Sequence, residues 1–110
     1  MKTPLNDVVN EYLKNDRTRF HTPGHQGVLQ QPFTDVAKYD LTEIDGLDSL
    51  YESSGAIAKT EKAFKEIYDS SACLLSAGGS TLCVQTMLAL AVPVGGSAIV
   101  SREVHTSAVN

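Results

Sequence analysis

The stretch that decides the fold reading is Ala72-Cys73-Leu74-Leu75-Ser76-Ala77-Gly78-Gly79-Ser80-Thr81, followed by the apolar run Leu82 to Val92 and then Ser97-Ala98-Ile99-Val100-Ser101. Ala72–Ser76 is too short and too uniformly apolar for a surface helix, and reads as a buried strand. Ala77–Thr81 reads as a turn. Leu82 to Val92 is apolar almost all round, which predicts a helix buried on most sides, stopped by Pro93, Gly95 and Gly96. Ser97–Ser101 reads as a second buried strand. Strand, glycine turn, helix and strand in that order make a βαβ unit with parallel strands and a right-handed crossover. Parallel strands need cover on both faces and further strands alongside. The expectation is therefore an α/β fold in which residues 57–110 begin a larger, incomplete domain.

Upstream, Leu5, Val8, Val9, Tyr12 and Leu13 recur on one helical face, with Thr3 at the N-cap position and Pro4 at the first helical position. Asn15-Asp16 ends that helix. Residues 16 to 56 hold no sustained period and carry Pro23, Gly24, Gly27, Pro32, Gly46 and Gly55, which marks a functional loop. Residues 1–56 are accordingly read as an N-terminal helix and extended arm. A further helix from about Ala58 to Tyr68 turns its Lys and Glu residues to water.

Composition removes several function classes. The chain has 110 residues with 9 Lys+Arg against 13 Asp+Glu, a net charge of −4, and 42% hydrophobic residues. An acidic balance argues against a nucleic-acid partner. The run from Met87 to Val94 is far short of the roughly 20 residues of a membrane span, so no membrane association is expected. The first residues lack the apolar core of a signal peptide, which points to the cytoplasm. Cys73 and Cys83 form no CxxC pair and read as buried thiols acting as small hydrophobes.

Three groups could carry chemistry. Gly78-Gly79-Ser80-Thr81 lies between a predicted strand and a predicted helix, where backbone N–H groups, hydroxyls and the helix dipole suit a phosphate. It is neither a Walker A loop nor GxGxxG, and a plain tight turn with Ser80 or Thr81 as N-cap fits it as well. His21 and His25 are four apart, but Pro23 and Gly24 lie between them, so they do not share a helical face as zinc ligands would. They read as solvated loop histidines, and no metal site is expected. Asp40, Glu43, Asp45 and Asp48 are spaced unlike an EF-hand loop and read as a solvated acidic loop. His105 follows the second predicted strand, at the edge where open α/β sheets bind ligands.

Taken together, His21-Thr22-Pro23-Gly24-His25-Gln26-Gly27, Asp40-Leu41-Thr42-Glu43-Ile44-Asp45-Gly46-Leu47-Asp48-Ser49-Leu50, Gly78-Gly79-Ser80-Thr81 and Arg102-Glu103-Val104-His105-Thr106-Ser107 follow one another in an order that resembles the start of the major domain of the ornithine/lysine/arginine decarboxylase family. The resemblance runs from about Arg19 to the C-terminus. It implies a pyridoxal-phosphate (PLP) enzyme of the aspartate-aminotransferase fold, with a basic amino acid as substrate and a dimer or larger homo-oligomer as the working form. Through the resemblance, Gly79, Ser80 and Thr81 match the segment that holds the cofactor phosphate. His105 matches the histidine that stacks on the pyridine ring, and Ser107 lies near the phosphate. The loop from His21 to Tyr51 matches an arm that helps form the dimer and the active-site mouth. The chain differs from the usual pattern at Gln26, Ser49, Tyr51, Ala77 and Thr106. The family's Schiff-base lysine, in a Ser-x-His-Lys stretch, has no counterpart among Lys2, Lys14, Lys38, Lys59, Lys62 and Lys65. No catalytic residue is therefore assigned, and the 110-residue chain by itself is expected to be inactive.

Overall fold

The computed structural model describes residues 3–15 and 17–109. The described residues form four α-helices, α1 (Pro4–Lys14), α2 (Thr34–Ala37), α3 (Ala56–Ile67) and α4 (Gly79–Ala91), and one 3-10 turn (Thr106–Ala108). They fall in two compact units, Met1–Leu75 and Ser76–Asn110.

The expected α/β fold is not what forms. Among the described residues there is no strand, so the βαβ unit and its sheet are overturned. The reason lies in where the backbone groups go. In the 72–76 stretch, Leu75 N–H donates to the Glu61 side chain and the Ala72 carbonyl accepts from the Ser70 hydroxyl. Around 97–101 the bonds are local turns, Gly96 N–H to the Pro93 carbonyl and Val104 N–H to the Ser101 carbonyl. An apolar pentapeptide has the composition of a buried strand, but a strand exists only through a ladder with a neighbour. Neither stretch has one.

The helices follow local rules more closely. Pro4 opens α1, where its missing N–H costs nothing. Thr3 does not cap with its side chain; its hydroxyl donates to the Asp7 carboxylate at 2.8 Å, while Asp7 N–H donates to the Thr3 carbonyl. Asn15 closes the helix in extended conformation, and Asp16 lies outside the described residues. In the first unit α1 packs against α3. The buried apolar residues there are small or single: Ala37, Leu47 and Ala56. An open apolar groove of about 460 Å³ runs along Leu5, Val9, Tyr39, Phe64 and Ile67.

In the second unit α4 packs against the 3-10 turn. The expectation of a helix buried on most sides fails: no residue of α4 is buried. Nor are the cysteines buried, since Cys73 is half-buried and Cys83 exposed. The helix also starts within the glycine turn, at Gly79 rather than Leu82.

Candidate functional site

The sequence-derived candidates divide between the two units. In the second unit, Gly79, Ser80 and Thr81 form the first turn of α4. Gly78 precedes them as N-cap and supplies no side-chain acceptor, so no side chain caps this end. The first N–H groups of any α-helix have no partner inside the helix. They and the positive end of the helix dipole therefore face outward here, beside the exposed Ser80 and Thr81. Gly79 sits at φ +74, where a side chain is strained although nothing crowds the position.

His105 and Ser107 lie at the 3-10 turn. Ser107 N–H donates to His105 Nδ1 at 3.2 Å, and the Ser107 hydroxyl lies 2.9 Å from the same nitrogen. Since Nδ1 accepts from the backbone, the ring proton sits on Nε2. His105 is exposed and Ser107 buried. In this structure the Ser107 hydroxyl is engaged with the His105 ring. The segment Gly79–Thr81 thus fits a phosphate as it stands, and His105 keeps an exposed ring available for stacking.

The first unit holds the HTPGH stretch and the acidic loop, and both are more ordered than a solvated loop. His21 Nδ1 donates to the Thr22 carbonyl at 2.6 Å, which leaves Nε2 to accept from the Tyr12 hydroxyl at 2.8 Å. His25 Nδ1 accepts from Gly27 N–H at 3.0 Å, and Nε2–H donates to the Asp40 carboxylate at 3.1 Å. Each imidazole is held in one tautomer by these partners. Arg19 lies 5.5 Å over the Tyr12 ring and donates through Nη2 to the Lys38 carbonyl at 3.0 Å. Its Nη1 is buried without a partner. Gly27, at φ +84, makes that seat: a Cβ there would come within 2.5 Å of Arg19 Nη1. Among the described residues no cluster of three or more His, Cys, Asp or Glu side chains could hold a metal ion.

Asp48, expected in a solvated acidic loop, and Glu61, expected to face water, both have roles that sequence reasoning missed: Asp48 binds four backbone N–H groups and Glu61 is buried. Asp48 adopts φ +83, which Asp tolerates better than most residues. Its carboxylate accepts from Ser49 and Ser54 N–H through Oδ1, and from Gly55 and Ile57 N–H through Oδ2, at 2.8 to 3.0 Å. The Ser54 N–H above all, then those of Ile57, Ser49 and Gly55, hold its carboxyl down at about 2 against the opposing effect of burial. Asp48 therefore closes the 48–55 loop and caps α3 from outside the helix. That explains why α3 begins at Ala56 rather than Ala58. Glu61, buried on α3, accepts from Leu75 N–H at 2.9 Å and from the Ser53 hydroxyl at 3.2 Å. Nothing in local spacing marks either role, although the Asp40–Leu50 stretch did include Asp48 in a motif. Beside Asp48, Glu43, Asp45 and Glu52 line a cavity of about 470 Å³ with no Lys or Arg in its wall, so its charge favours a cation.

Comparison with known proteins gives a consistent answer. The family model described as Orn/Lys/Arg decarboxylase, major domain, matches residues 3–110. An uncharacterized protein of Bacillus subtilis, YaaO, is 29% identical over 97% of this chain and 24% of its own length. An arginine decarboxylase of Halalkalibacterium halodurans is 29% identical over 96% of this chain and 23% of its own length. One from Bacillus subtilis is 26% identical over 96% of this chain and 23% of its own length. The chain spans about a quarter of the length of the curated relatives it matches. No solved structure matches it. Among the described residues no helix is long and apolar enough to cross a membrane.

Proposed function

The chain belongs to the Orn/Lys/Arg decarboxylase family, and from that premise we propose that it is the cofactor-phosphate-binding part of a PLP-dependent decarboxylase acting on arginine, lysine or ornithine. The observation that carries this reading is the uncapped first turn of α4, formed by the residues that the family resemblance matches to the phosphate segment. The backbone N–H groups and hydroxyls of Gly79, Ser80 and Thr81 would hold the phosphate. The exposed ring of His105 would stack on the pyridine and keep water from that face. When bound, PLP supplies the electron-withdrawing ring that accepts the electron pair left as the α-carboxylate departs as carbon dioxide. The product of such a reaction would be the corresponding amine, a polyamine or its precursor. The same reading puts the working enzyme in the cytoplasm as a dimer or larger homo-oligomer.

The 110-residue chain supplies no counterpart of the Schiff-base lysine, so alone it is expected to turn nothing over. A second reading is a non-catalytic chain that needs a partner, and the apolar helix α4, none of whose residues is buried, favours it. Carbon-dioxide release from carboxyl-labelled arginine, lysine and ornithine by the protein purified from its native source, with PLP added, tests the first reading. Its intact mass, measured on the same sample, tests the second. Release from one of the three supports the decarboxylase reading. No release from any of them, by a protein several times the 11.8 kDa of this chain, refutes it.

A further inference from the structure

The outer side-chain torsion of a histidine is broad and roughly two-fold, and the neutral ring carries its proton on either nitrogen. A ring that has to present one face to a flat partner therefore needs a neighbour that fixes both its rotation and its tautomer. His105 has such a neighbour two residues away. The Ser107 N–H donates to Nδ1 at 3.2 Å, and the Ser107 hydroxyl lies 2.9 Å from the same atom. The lone pair of a ring nitrogen lies in the ring plane, so both contacts hold the imidazole by an edge and not by a face. An amide N–H cannot accept, so Nδ1 keeps its lone pair and the proton stays on Nε2.

The grip is itself anchored. Ser107 is 9% exposed, and the 3-10 turn that carries it packs against α4. The His105 carbonyl accepts from Ala108 N–H at 2.9 Å, so the same turn fixes the backbone from which the ring projects. Among the described residues the Ser107 hydroxyl has no hydrogen-bond partner other than His105. All of these contacts lie within the unit that also carries Gly79–Thr81.

We propose that Ser107 is the positioning residue of His105: its N–H and hydroxyl together hold the imidazole by the Nδ1 edge, in the Nε2–H tautomer, so that the ring offers a face for stacking. That the stacked partner is a pyridine ring rests on the cofactor reading above. The family resemblance places Ser107 near the phosphate. The contacts give it a different task, which is to act on the cofactor through His105.

The test uses the full chain labelled with nitrogen-15 and long-range proton–nitrogen NMR spectra of its imidazoles at about pH 8, where an ordinary histidine is neutral. His105→Ala identifies the His105 signals. The parent should show His105 as the Nε2–H tautomer alone. Ser107→Ala keeps the N–H that caps the turn and loses only the hydroxyl, so the α4 amide signals should stay in place while an Nδ1–H population of His105 appears. Ser107→Thr, which returns a hydroxyl, should restore the parent pattern. The same chains are titrated with inorganic phosphate and with pyridoxamine phosphate, which has the cofactor ring but no aldehyde to react with lysines. Ser107→Ala should weaken pyridoxamine phosphate by up to about fivefold, the worth of one ring stack, and leave inorganic phosphate unchanged. The double variant with His105→Ala should bind no more weakly than His105→Ala alone, because Ser107 acts through that ring. Mixed His105 tautomers in the parent overturn the proposal, as does a Ser107→Ala spectrum identical to the parent's. Equal losses for the two probes, or losses that add in the double variant, also overturn it, since Ser107 then touches the ligand itself. A held His105 ring in a parent that binds neither probe keeps Ser107 as its positioning residue and removes the cofactor reading. Pyridoxamine phosphate binding with mixed tautomers does the reverse.

Discussion

Removing the carboxylate of Glu61 should loosen the first unit. Glu61 is 9% exposed, and its two oxygens hold the Ser53 hydroxyl, ahead of α3, and the Leu75 N–H, eight residues beyond its end. Met at this position keeps the length and helix propensity of the side chain but accepts nothing. Glu61→Met therefore strands one amide and one hydroxyl, both half-buried. A hydrogen bond to a charged group contributes about 1.5–3 kcal/mol when buried, and partial access to water reduces it, so a loss of about 2 kcal/mol is expected for the pair. For a domain of this size that corresponds to a fall in Tm of roughly 8–16 °C. Glu61→Gln keeps an acceptor for Leu75 and can donate to the Ser53 oxygen, and should cost under about 1 kcal/mol. The assay is urea unfolding of the full chain followed by tyrosine fluorescence. The chain has no Trp, and Tyr12, Tyr39, Tyr51 and Tyr68 all lie in the first unit, so the signal reports that unit alone. Hydrogen exchange at the Leu75 amide gives the local readout, and it should quicken in Glu61→Met. Equal stability of Glu61→Met and the parent chain, or of Glu61→Met and Glu61→Gln, would refute the reasoning.

Three further outcomes can be checked. Gly27→Ala puts a Cβ at φ +84 and into the Arg19 guanidinium, and should cost about 1–2 kcal/mol for the backbone alone; Gly24→Ala, with open space around it, should be close to neutral, and urea midpoints that fail to separate the two would contradict this. Asp48 has its carboxyl lowered from 3.8 to about 2 in the folded chain; its contribution is present in full above about pH 4 and is lost as pH falls toward 2, so acid unfolding of the parent should steepen in that window while Asp48→Asn, already lacking the carboxylate, should show a flatter profile there. The chain alone should bind PLP weakly: a helix-terminus phosphate site contributes up to about 2 kcal/mol and ring stacking about 1 more, which corresponds to a Kd on the order of a millimolar, and a micromolar value in a spectroscopic titration would show that the site holds more than these two interactions.

Local sequence determined the elements whose causes are local. Pro4 and the Leu5/Val8/Val9/Tyr12 stripe determined α1, and Pro93 with Gly95 and Gly96 determined where the apolar helix stops, because caps, breakers and 3.6-residue periodicity act over a single turn. The family was legible too, since four motifs in order identify a lineage even where no single motif does, whereas Gly79–Thr81 of the expected turn became the start of α4. α2 was not legible, because four residues carry no period. The tertiary structure alone decided three things. Asp48 caps α3 across seven to nine residues, His21 finds Tyr12 on another element, and the apolar stretches at 72–76 and 97–101 do not become strands. A carboxylate's partners and a strand's ladder lie at contact distances that composition does not encode. Apolar composition states that a segment is suited to burial; whether it is buried depends on what is packed against it, and no residue of α4 is buried.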